Sequence, residues 1–278
     1  MNDQALAAHS ISFSYSPAPG GAPTLRDLSA AFPAGAFTAI IGPNGAGKST
    51  LLRVLLGVLG PFRGRVTLAD RPLAEHTRHE RARRIAYVPQ RASVAFAFSA
   101  RAVVALGRFA SDSAEHHRGV DRALAAVDML ALADMPLGNL SVGQQQRITL
   151  ARALAQLDLP SDAPRAGPTF LLLDEPVSAM DPAHALHAMD LLRGIADGGV
   201  GVVAVLHDLA LVARYADRVL ALGASGTPQA HGPTRDILRP DLLGELFGAD
   251  FRPFLDPARP EAPPVLIPVA PRGTPTLA

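Results

Sequence analysis

The chain has 278 residues, of which 48% are hydrophobic and 18% charged, and its formal net charge is +1. This composition excludes a disordered or fibrous protein, and the balanced charge argues against a partner such as nucleic acid, whose phosphates demand a basic surface. The absence of cysteine excludes disulfides, thiolate catalysis and cysteine-ligated metal sites. No apolar run approaches the roughly 20 residues of a membrane span, and the first residues lack a signal-peptide pattern, so we expect a soluble intracellular protein.

Short apolar runs alternate with helical stretches, which predicts an α/β fold with a mostly parallel sheet. The predicted strands are Phe37–Ile41, Ile85–Val88, Thr169–Leu173, Gly201–Leu206 and Arg218–Leu222. The predicted helices are Lys48–Val58, Val120–Ala131, Gly143–Leu157, Pro182–Ala196 and Leu209–Tyr215. Residues 14–23 and 157–169 carry turn-forming residues and predict surface turns or loops.

Two regions depart from this alternation. Residues 91–139 are rich in alanine and lack a convincing buried strand, which predicts a helical insertion into the sheet domain. The tail from Phe251 onward is rich in proline, and only PVLIPV at 264–269 is a candidate edge strand.

Residues 42–50 have the composition of a phosphate-binding loop, placed between a predicted strand and the helix that starts at Lys48. Glycines let successive backbone N–H groups point at one phosphate chain, and the helix N-terminus adds a positive dipole. Lys48 is the only lysine among 26 basic residues, and its ammonium would reach the β- and γ-phosphates of a nucleotide. The Ser49 hydroxyl is a candidate Mg²⁺ ligand. The residues assigned to nucleotide binding are Gly42, Pro43, Asn44, Gly45, Ala46, Gly47, Lys48, Ser49 and Thr50.

A very apolar strand ends in the acids Asp174 and Glu175. This pair suits phosphoryl transfer, with Asp174 facing the water shell of Mg²⁺ and Glu175 facing the attacking water. A strand that happens to end in acids is the alternative. Further on, Asp181 followed by Pro182 predicts an N-cap and first helical turn, and capping alone would justify that aspartate.

Residues 140–147 (LSVGQQQR) lie at the start of a predicted helix. Ser141 and Gln144 have the spacing of a capping box. A helix N-terminus with Ser and Gly at its tip is also a ready anion site, so the pattern leaves a plain capped helix and a binding site both open.

The order and spacing of these motifs resemble those of ABC-type ATPases over about residues 9–250. The resemblance rests on the phosphate loop, Gln90 after IAYVP, LSVGQQQR just upstream of LLLDEP, SAMD at 178–181, and His207 after GVVAVL. It implies hydrolysis of ATP with Mg²⁺ by a homodimer that holds two ATP molecules between its subunits. It also implies an ATPase domain over 1–250 with a mostly parallel core sheet, an antiparallel β subdomain and an α-helical subdomain inserted at about 91–150, followed by the tail 251–278.

The resemblance implies a role for each matching residue. Glu175 matches the base that polarises water, and His207 matches the histidine that contacts the γ-phosphate. Gln90 matches a residue near Mg²⁺ and water that relays the nucleotide state to the membrane partner. The residues that the resemblance implies around the metal are Ser49, Gln90 and Asp174. Tyr15 stands where the family places an aromatic ring on adenine, and a tyrosine that packs its own strand is the alternative.

Other residues match contacts across the dimer. Ser141, Gly143 and Gln144 would contact the nucleotide bound to the other subunit, and Asp181 would couple the two sites. Val142 and Gln144 stand where the family usually has glycine and glutamate. Because valine cannot adopt a positive φ cheaply, we expect a β- or α-region conformation at Val142.

Further stretches resemble one group within this family. Residues 95–108 (AFAFSARAVVALGR) are similar to a segment of the ATPases of iron-chelate, haem and cobalamin importers, and 202–219 and the tail are similar to haem importers. The resemblance implies a haem importer, with ferric siderophore or cobalamin as alternative cargoes. The implied partners are two integral-membrane permease subunits and, through them, a substrate-binding protein, at the cytoplasmic face of the inner membrane. A soluble ABC ATPase without a permease, and a subunit that binds ATP without turnover, are the alternatives.

Some residues invite other interpretations. The basic run at 78–84 is expected to be a solvated face rather than a nucleic-acid site, and His184 and His187 an exposed helix face rather than a metal pair. His116 and its neighbour His117 are expected in a polar loop. Phe96 and Phe98 either form an exposed groove for the permease or pack the helical insertion.

Overall fold

The structure is a computed structural model that describes residues 4–15, 23–61, 63–90, 98–110, 116–160, 167–255 and 263–272. The strands are β1 (Ala5–Phe13), β2 (Leu25–Pro33), β3 (Phe37–Ile41), β4 (Arg63–Leu68), β5 (Arg71–Pro72), β6 (Ile85–Val88), β7 (Phe170–Asp174), β8 (Gly201–Val205), β9 (Arg218–Leu222), β10 (Pro228–Pro233), β11 (Ala249–Phe254) and β12 (Val265–Pro271). The helices are α1 (Lys48–Leu55), α2 (Arg78–Arg84), α3 (Ala100–Ala105), α4 (His116–Ala126), α5 (Val142–Gln156), α6 (Pro182–Asp197), α7 (Leu209–Tyr215), α8 (Thr234–Ile237) and α9 (Pro240–Phe247). Across the described part of the chain, every helix is too short or too polar to cross a membrane.

The chain divides into two compact units. The first unit comprises residues 1–6, 32–36 and 67–204, and the second comprises residues 7–31, 37–66 and 205–278.

A pair of parallel strands in the second unit leads into the phosphate-binding loop. Strand β3 pairs in parallel with β9, and β9 pairs antiparallel with β10. All five residues of β3 are buried, as expected for a parallel strand that is covered on both faces. Most of β1, β2 and β4 also belongs to this unit, in the order β2-β1-β4, and β11 and β12 form a separate antiparallel hairpin.

The first unit contains the strand that ends in two acids. Strand β7 pairs in parallel with β6, and β8 lies on its other side. Every residue of β7, Asp174 included, is buried. Helices α3, α4 and α5 pack on one another in the same unit. Between residues 98 and 139, the described residues are helical or form turns, and their β-type pairing is limited to the isolated bridge between Ser99 and Pro136.

A buried arginine joins these helices. Arg108 is almost fully buried, and its Nη1 donates to Asp158 Oδ1 at 2.8 Å. Arg122 Nη2 donates to the same oxygen at 2.8 Å. A Cβ on Gly119 would lie 2.6 Å from Arg108 Nη1, so the guanidinium fills the space that a larger residue would take. Asp158 therefore links Arg108, which follows α3, to Arg122 of α4.

The predicted elements agree with the structure most closely where apolar runs are short and sharply bounded. The bounds of β3, β6, β9 and α7 are those predicted. Helix α1 ends three residues earlier than predicted, at Leu55, because Gly57 has a left-handed φ of 74° and turns the chain away. The predicted strand at PVLIPV is confirmed as β12. The expectation that the tail holds only this strand is wrong, because β11 runs from Ala249 to Phe254 and pairs with β12.

The expected polar loop at His116 and His117 is wrong, because α4 begins at His116. Polar residues on the exposed side of an amphipathic helix give no apolar signal, which is why the predicted start lay further along. The basic run is confirmed as an exposed helix, α2, in which no residue is buried. Phe98 is exposed, and Phe96 lies outside the described residues, as do 16–22 and 161–166 of the predicted turns.

Candidate functional site

The loop from β3 to α1 has a backbone that only glycine permits at two points. Gly42 has a φ of 149°, and a Cβ there would lie 2.2 Å from the carbonyl oxygen of Leu222. Gly47, the N-cap of α1, has a φ of 86°, and a Cβ would lie 2.8 Å from the carbonyl oxygen of Thr24. Both of these neighbours are backbone oxygens, which cannot move away by rotation of a side chain. The chain is therefore held in a tight turn whose N–H groups lead into a helix N-terminus, an arrangement that suits a phosphate chain.

Lys48 lies along this loop. Its ammonium donates to the carbonyl oxygens of Gly42 at 2.8 Å and Pro43 at 2.9 Å, and the residue is only 7% exposed. The next residue, Ser49, is half-buried and Thr50 is buried. A compact cation and a hydroxyl therefore sit side by side in the first turn of α1.

Tyr15 is beside the same helix. Its hydroxyl and Thr50 Oγ1 are 3.2 Å apart, and its ring meets Phe13 edge-on with centroids 4.9 Å apart. The side chain is nevertheless 58% exposed, so much of the ring is available to a ligand. The contact with adenine stays a prediction.

His207 follows β8 and is exposed. The next residue, Asp208, caps α7 by accepting a hydrogen bond from the backbone N–H of Ala210 at 2.7 Å. Together with the start of α7, Phe247 and the hairpin β11–β12, His207 lines an apolar pocket of about 510 Å³ within the second unit. The contact of His207 with a γ-phosphate stays a prediction.

The two acids at the end of β7 have different environments. Asp174 is 2% exposed, and Tyr87 donates its hydroxyl proton to Asp174 Oδ2 at 3.3 Å. Glu175 is half-buried and has a φ of 52°, in the left-handed region. Such backbone in a residue other than glycine costs about 1–3 kcal/mol and persists only where neighbouring contacts hold it. The strain makes Glu175 a candidate functional residue on geometry as well as on sequence.

The N-terminus of α5 is capped as the sequence predicted. Ser141 Oγ accepts from the N–H of Gln144 at 3.3 Å, and Gln144 Oε1 accepts from the N–H of Ser141 at 2.8 Å. Val142 is the first helical residue, so its conformation lies in the expected α region, and the residue is 70% exposed. The departure from the usual glycine is therefore accommodated without a positive φ.

Gln90 is exposed just after β6, and Asp181 is the N-cap of α6. Asp181 Oδ1 accepts from the N–H of His184 at 3.1 Å, and its Oδ2 lies 2.6 Å from Nδ1 of the same histidine. The backbone hydrogen bond first, and the side-chain one second, lower the pKa of Asp181 below its ordinary value. Asp181 is thus a capping residue, as predicted, and carries a charge at neutral pH.

The predicted site residues are divided between the units. The second unit holds Tyr15, residues 42–50 and His207. The first unit holds Gln90, Ser141, Gly143, Gln144, Asp174, Glu175 and Asp181. Sequence reasoning missed two residues of the first unit, Tyr87 and Gln146. Tyr87 has the pattern of an ordinary strand residue, and Gln146 is one of three adjacent glutamines.

A sequence model described as ABC transporter matches residues 25–178. The chain is 45% identical to the hemin import ATP-binding protein HmuV of Ruegeria sp. (strain TM1040), over 82% of this chain and 86% of that protein. It is 42% identical to the protein of the same name from Pseudomonas putida, over 86% of this chain and 92% of that protein.

Solved structures of ABC transporters are similar to the chain in fold. The chain is similar to a metal-chelate type ABC transporter in an inward-facing conformation, with a TM-score of 0.76 at 28% identity over 97% of this chain and 98% of that chain. The dimeric structure of MJ0796, a bacterial ABC transporter cassette, has a TM-score of 0.72 at 25% identity over 83% of this chain and 99% of that chain.

Proposed function

Because the chain belongs to the ABC transporter family, we propose that it is the subunit that hydrolyses ATP to energise an importer of haem. The observation that carries this proposal is the similarity, along most of the chain, to proteins named for hemin import. The phosphate-binding loop is complete in the sequence, and all the motifs on which the resemblance rests lie within the described residues.

We assign the phosphates of ATP to the loop at 42–47 and the ammonium of Lys48, and adenine to Tyr15. The loop leaves no room for a Cβ at Gly42. We assign Mg²⁺ to Ser49, Gln90 and Asp174, whose hydroxyl, amide and carboxylate oxygens are ligands of the kind that Mg²⁺ prefers. Mg²⁺, when bound, offsets the charge of the β- and γ-phosphates.

Hydrolysis needs a base for the attacking water and charge stabilisation around the γ-phosphate. We assign the base to Glu175, which follows a buried strand and has a fixed backbone. His207 is assigned to the γ-phosphate and Gln90 to the water and the metal. In this family of reactions most of the catalysis is positioning and electrostatic stabilisation.

We assign the tip of α5 to the ATP on a second copy of the chain. Ser141, Gly143 and Gln144 would make this contact, and Asp181 would couple the two sites. The exposed Val142 would add an apolar surface there, and the neutral amide of Gln144 would bring no carboxylate charge near the phosphates.

We further propose that two permease subunits, and through them a substrate-binding protein, are the partners of this homodimer. The dimer would then be peripheral, on the cytoplasmic face of the inner membrane. The segment 95–108, which resembles importer ATPases, favours this function over that of an ABC ATPase without a permease. Phe98 and Phe109 are exposed in and just after that segment and are available to a partner.

The test is the ATPase activity of the chain purified with its membrane partners, with cargo-loaded binding proteins added one at a time. Stimulation by the haem-loaded protein alone supports the proposal, and stimulation by a ferric-siderophore or cobalamin protein changes the cargo. If the chain hydrolyses ATP but no membrane protein co-purifies with it, the importer function is wrong.

Glu175→Gln is the control for the chemical step. The variant should still bind ATP, because Glu175 is not assigned to the phosphates, while hydrolysis falls at least about a hundredfold, as expected for loss of a general base. Near-normal turnover would remove Glu175 from its role.

A further inference from the structure

The backbone at Glu175 is held in its left-handed conformation by hydrogen bonds that converge on one atom, its own carbonyl oxygen. Gln146 Nε2 donates to this oxygen at 2.7 Å, and the Ser178 hydroxyl donates to it at 3.1 Å. The N–H of Ser178 approaches the same oxygen at 3.4 Å. Because Ser178 belongs to the loop that it closes, Gln146 supplies the one anchor among these donors that comes from another element.

Gln146 spans the whole of that loop. While its Nε2 binds the carbonyl of Glu175, its Oε1 accepts from the backbone N–H of Ala179 at 3.2 Å. The residue is 6% exposed, so both hydrogen bonds lie in a site with little competition from water. Donor and acceptor of one amide are therefore matched to the two ends of residues 175–179.

The tip of α5 is pressed against the same loop. A Cβ on Gly143 would lie 2.8 Å from the carbonyl oxygen of Ala179. Gly143 and Gln146 are three residues apart and so lie on one side of the helix. The turn of α5 assigned to the second copy's ATP thus holds the loop that carries Glu175.

We propose that Gln146 is a positioning residue: it fixes the backbone that directs the Glu175 carboxylate, and it ties that backbone to the turn of α5 that contacts the second copy's ATP. The inference rests on the proposed function, in which Glu175 is the base. It adds a route within one subunit by which contact with the partner's nucleotide reaches the subunit's own catalytic carboxylate.

The neighbouring glutamines have other partners. Gln144 completes the helix cap, and Gln145 donates to the carbonyl of Leu140 at 2.9 Å. At the far end of α5, Gln156 donates to the backbone carbonyls of Ala82 at 2.8 Å and Ile85 at 3.0 Å. Gln156 is therefore a matched control, an amide of the same helix that binds backbone carbonyls away from Glu175.

The experiment is a double-mutant cycle on the full chain, with kcat and KM for ATP measured for the wild type, Gln146→Met, Glu175→Gln and the double variant. We expect Gln146→Met to lower kcat at least about tenfold, as for a misplaced catalytic group, with KM changed less than about twofold. In the Glu175→Gln background the same substitution should change the residual turnover by less than about twofold, because it acts through a carboxylate that is no longer there. Gln156→Met should leave kcat within about twofold of the wild type.

A purely structural Gln146 would lower turnover by the same factor in both backgrounds, and that result overturns the inference while leaving the proposed function intact. Normal turnover in Glu175→Gln alone overturns the proposed base and the inference together. Should Gln146→Met fail to fold, Gln146→Glu keeps the acceptor for Ala179 and puts a carboxylate oxygen in place of the donor to Glu175. The same fall in kcat is expected, and a wild-type kcat there overturns the inference.

Discussion

Replacement of Gly143 by alanine tests how closely the tip of α5 packs on the loop after β7. The added Cβ would lie 2.8 Å from the carbonyl oxygen of Ala179, whereas ordinary contact begins at 3.4 Å. The partner is a backbone atom, so the helix and the loop must separate by roughly half an ångström. Overpacking of this kind costs about 1–3 kcal/mol, and we expect a loss of unfolding free energy in that range.

Gly138→Ala is the matched control. Gly138 is five residues before Gly143 in the first unit, and a Cβ there would meet no atom of the described residues within 4 Å. Urea unfolding followed by circular dichroism should place this variant within about 0.5 kcal/mol of the wild type. In the same preparations, Gly143→Ala should lower ATP turnover at least about tenfold because the displaced loop carries Glu175.

Equal unfolding free energies for the two alanine variants would refute the close packing of α5 on this loop. A destabilised Gly143→Ala protein with wild-type turnover would show instead that the displacement does not reach Glu175.

Two further predictions concern charges away from the nucleotide motifs. Asp158→Asn removes the carboxylate that is paired with the buried Arg108, and urea unfolding should show a loss of about 2–3 kcal/mol. Asp197→Asn, in an exposed helical ion pair, should cost at most about 0.5 kcal/mol, and equal losses would contradict the importance of burial. Burial, and then the charge of Arg218, lower the pKa of His231 below its ordinary 6.5. As the pH falls, the histidine of the unfolded chain therefore takes up a proton before that of the folded chain, and stability is lost below about pH 6.5. We expect His231→Gln to lessen this loss when the free energy of unfolding is measured down to about pH 5. An unchanged pH profile would contradict this prediction.

The elements of the fold could be predicted where the signal is local. The strands β3 and β9 are short apolar runs between polar or turn-forming residues, and their ends are visible in the sequence. The strand β7 extends one residue further than predicted, because Asp174 is buried within it and polarity alone marked it as the end. The first turn of α4 was missed because its polar residues resemble a loop.

The same distinction holds for the candidate site. The phosphate-binding loop could be predicted because its chemistry lies in consecutive residues. The hydrogen bonds of Tyr87 with Asp174 and of Gln146 with Glu175 join residues 87 and 29 positions apart, and such pairs have no pattern in a single sequence. The left-handed backbone at Glu175 also depends on these tertiary contacts, so the sequence could suggest the role of the residue but not its strain.

The single lysine has a practical consequence for chemical labelling. Apart from the α-amino group, amine-directed reagents have one side-chain target in this chain, and that target is the buried Lys48 of the phosphate-binding loop. A fall in the reductive methylation of Lys48 when ATP is added, read by mass spectrometry, would therefore report on occupancy of the loop. Coupling to a sensor surface through lysine would inactivate every molecule that it captured, so tethering must use a different side chain or a terminal tag.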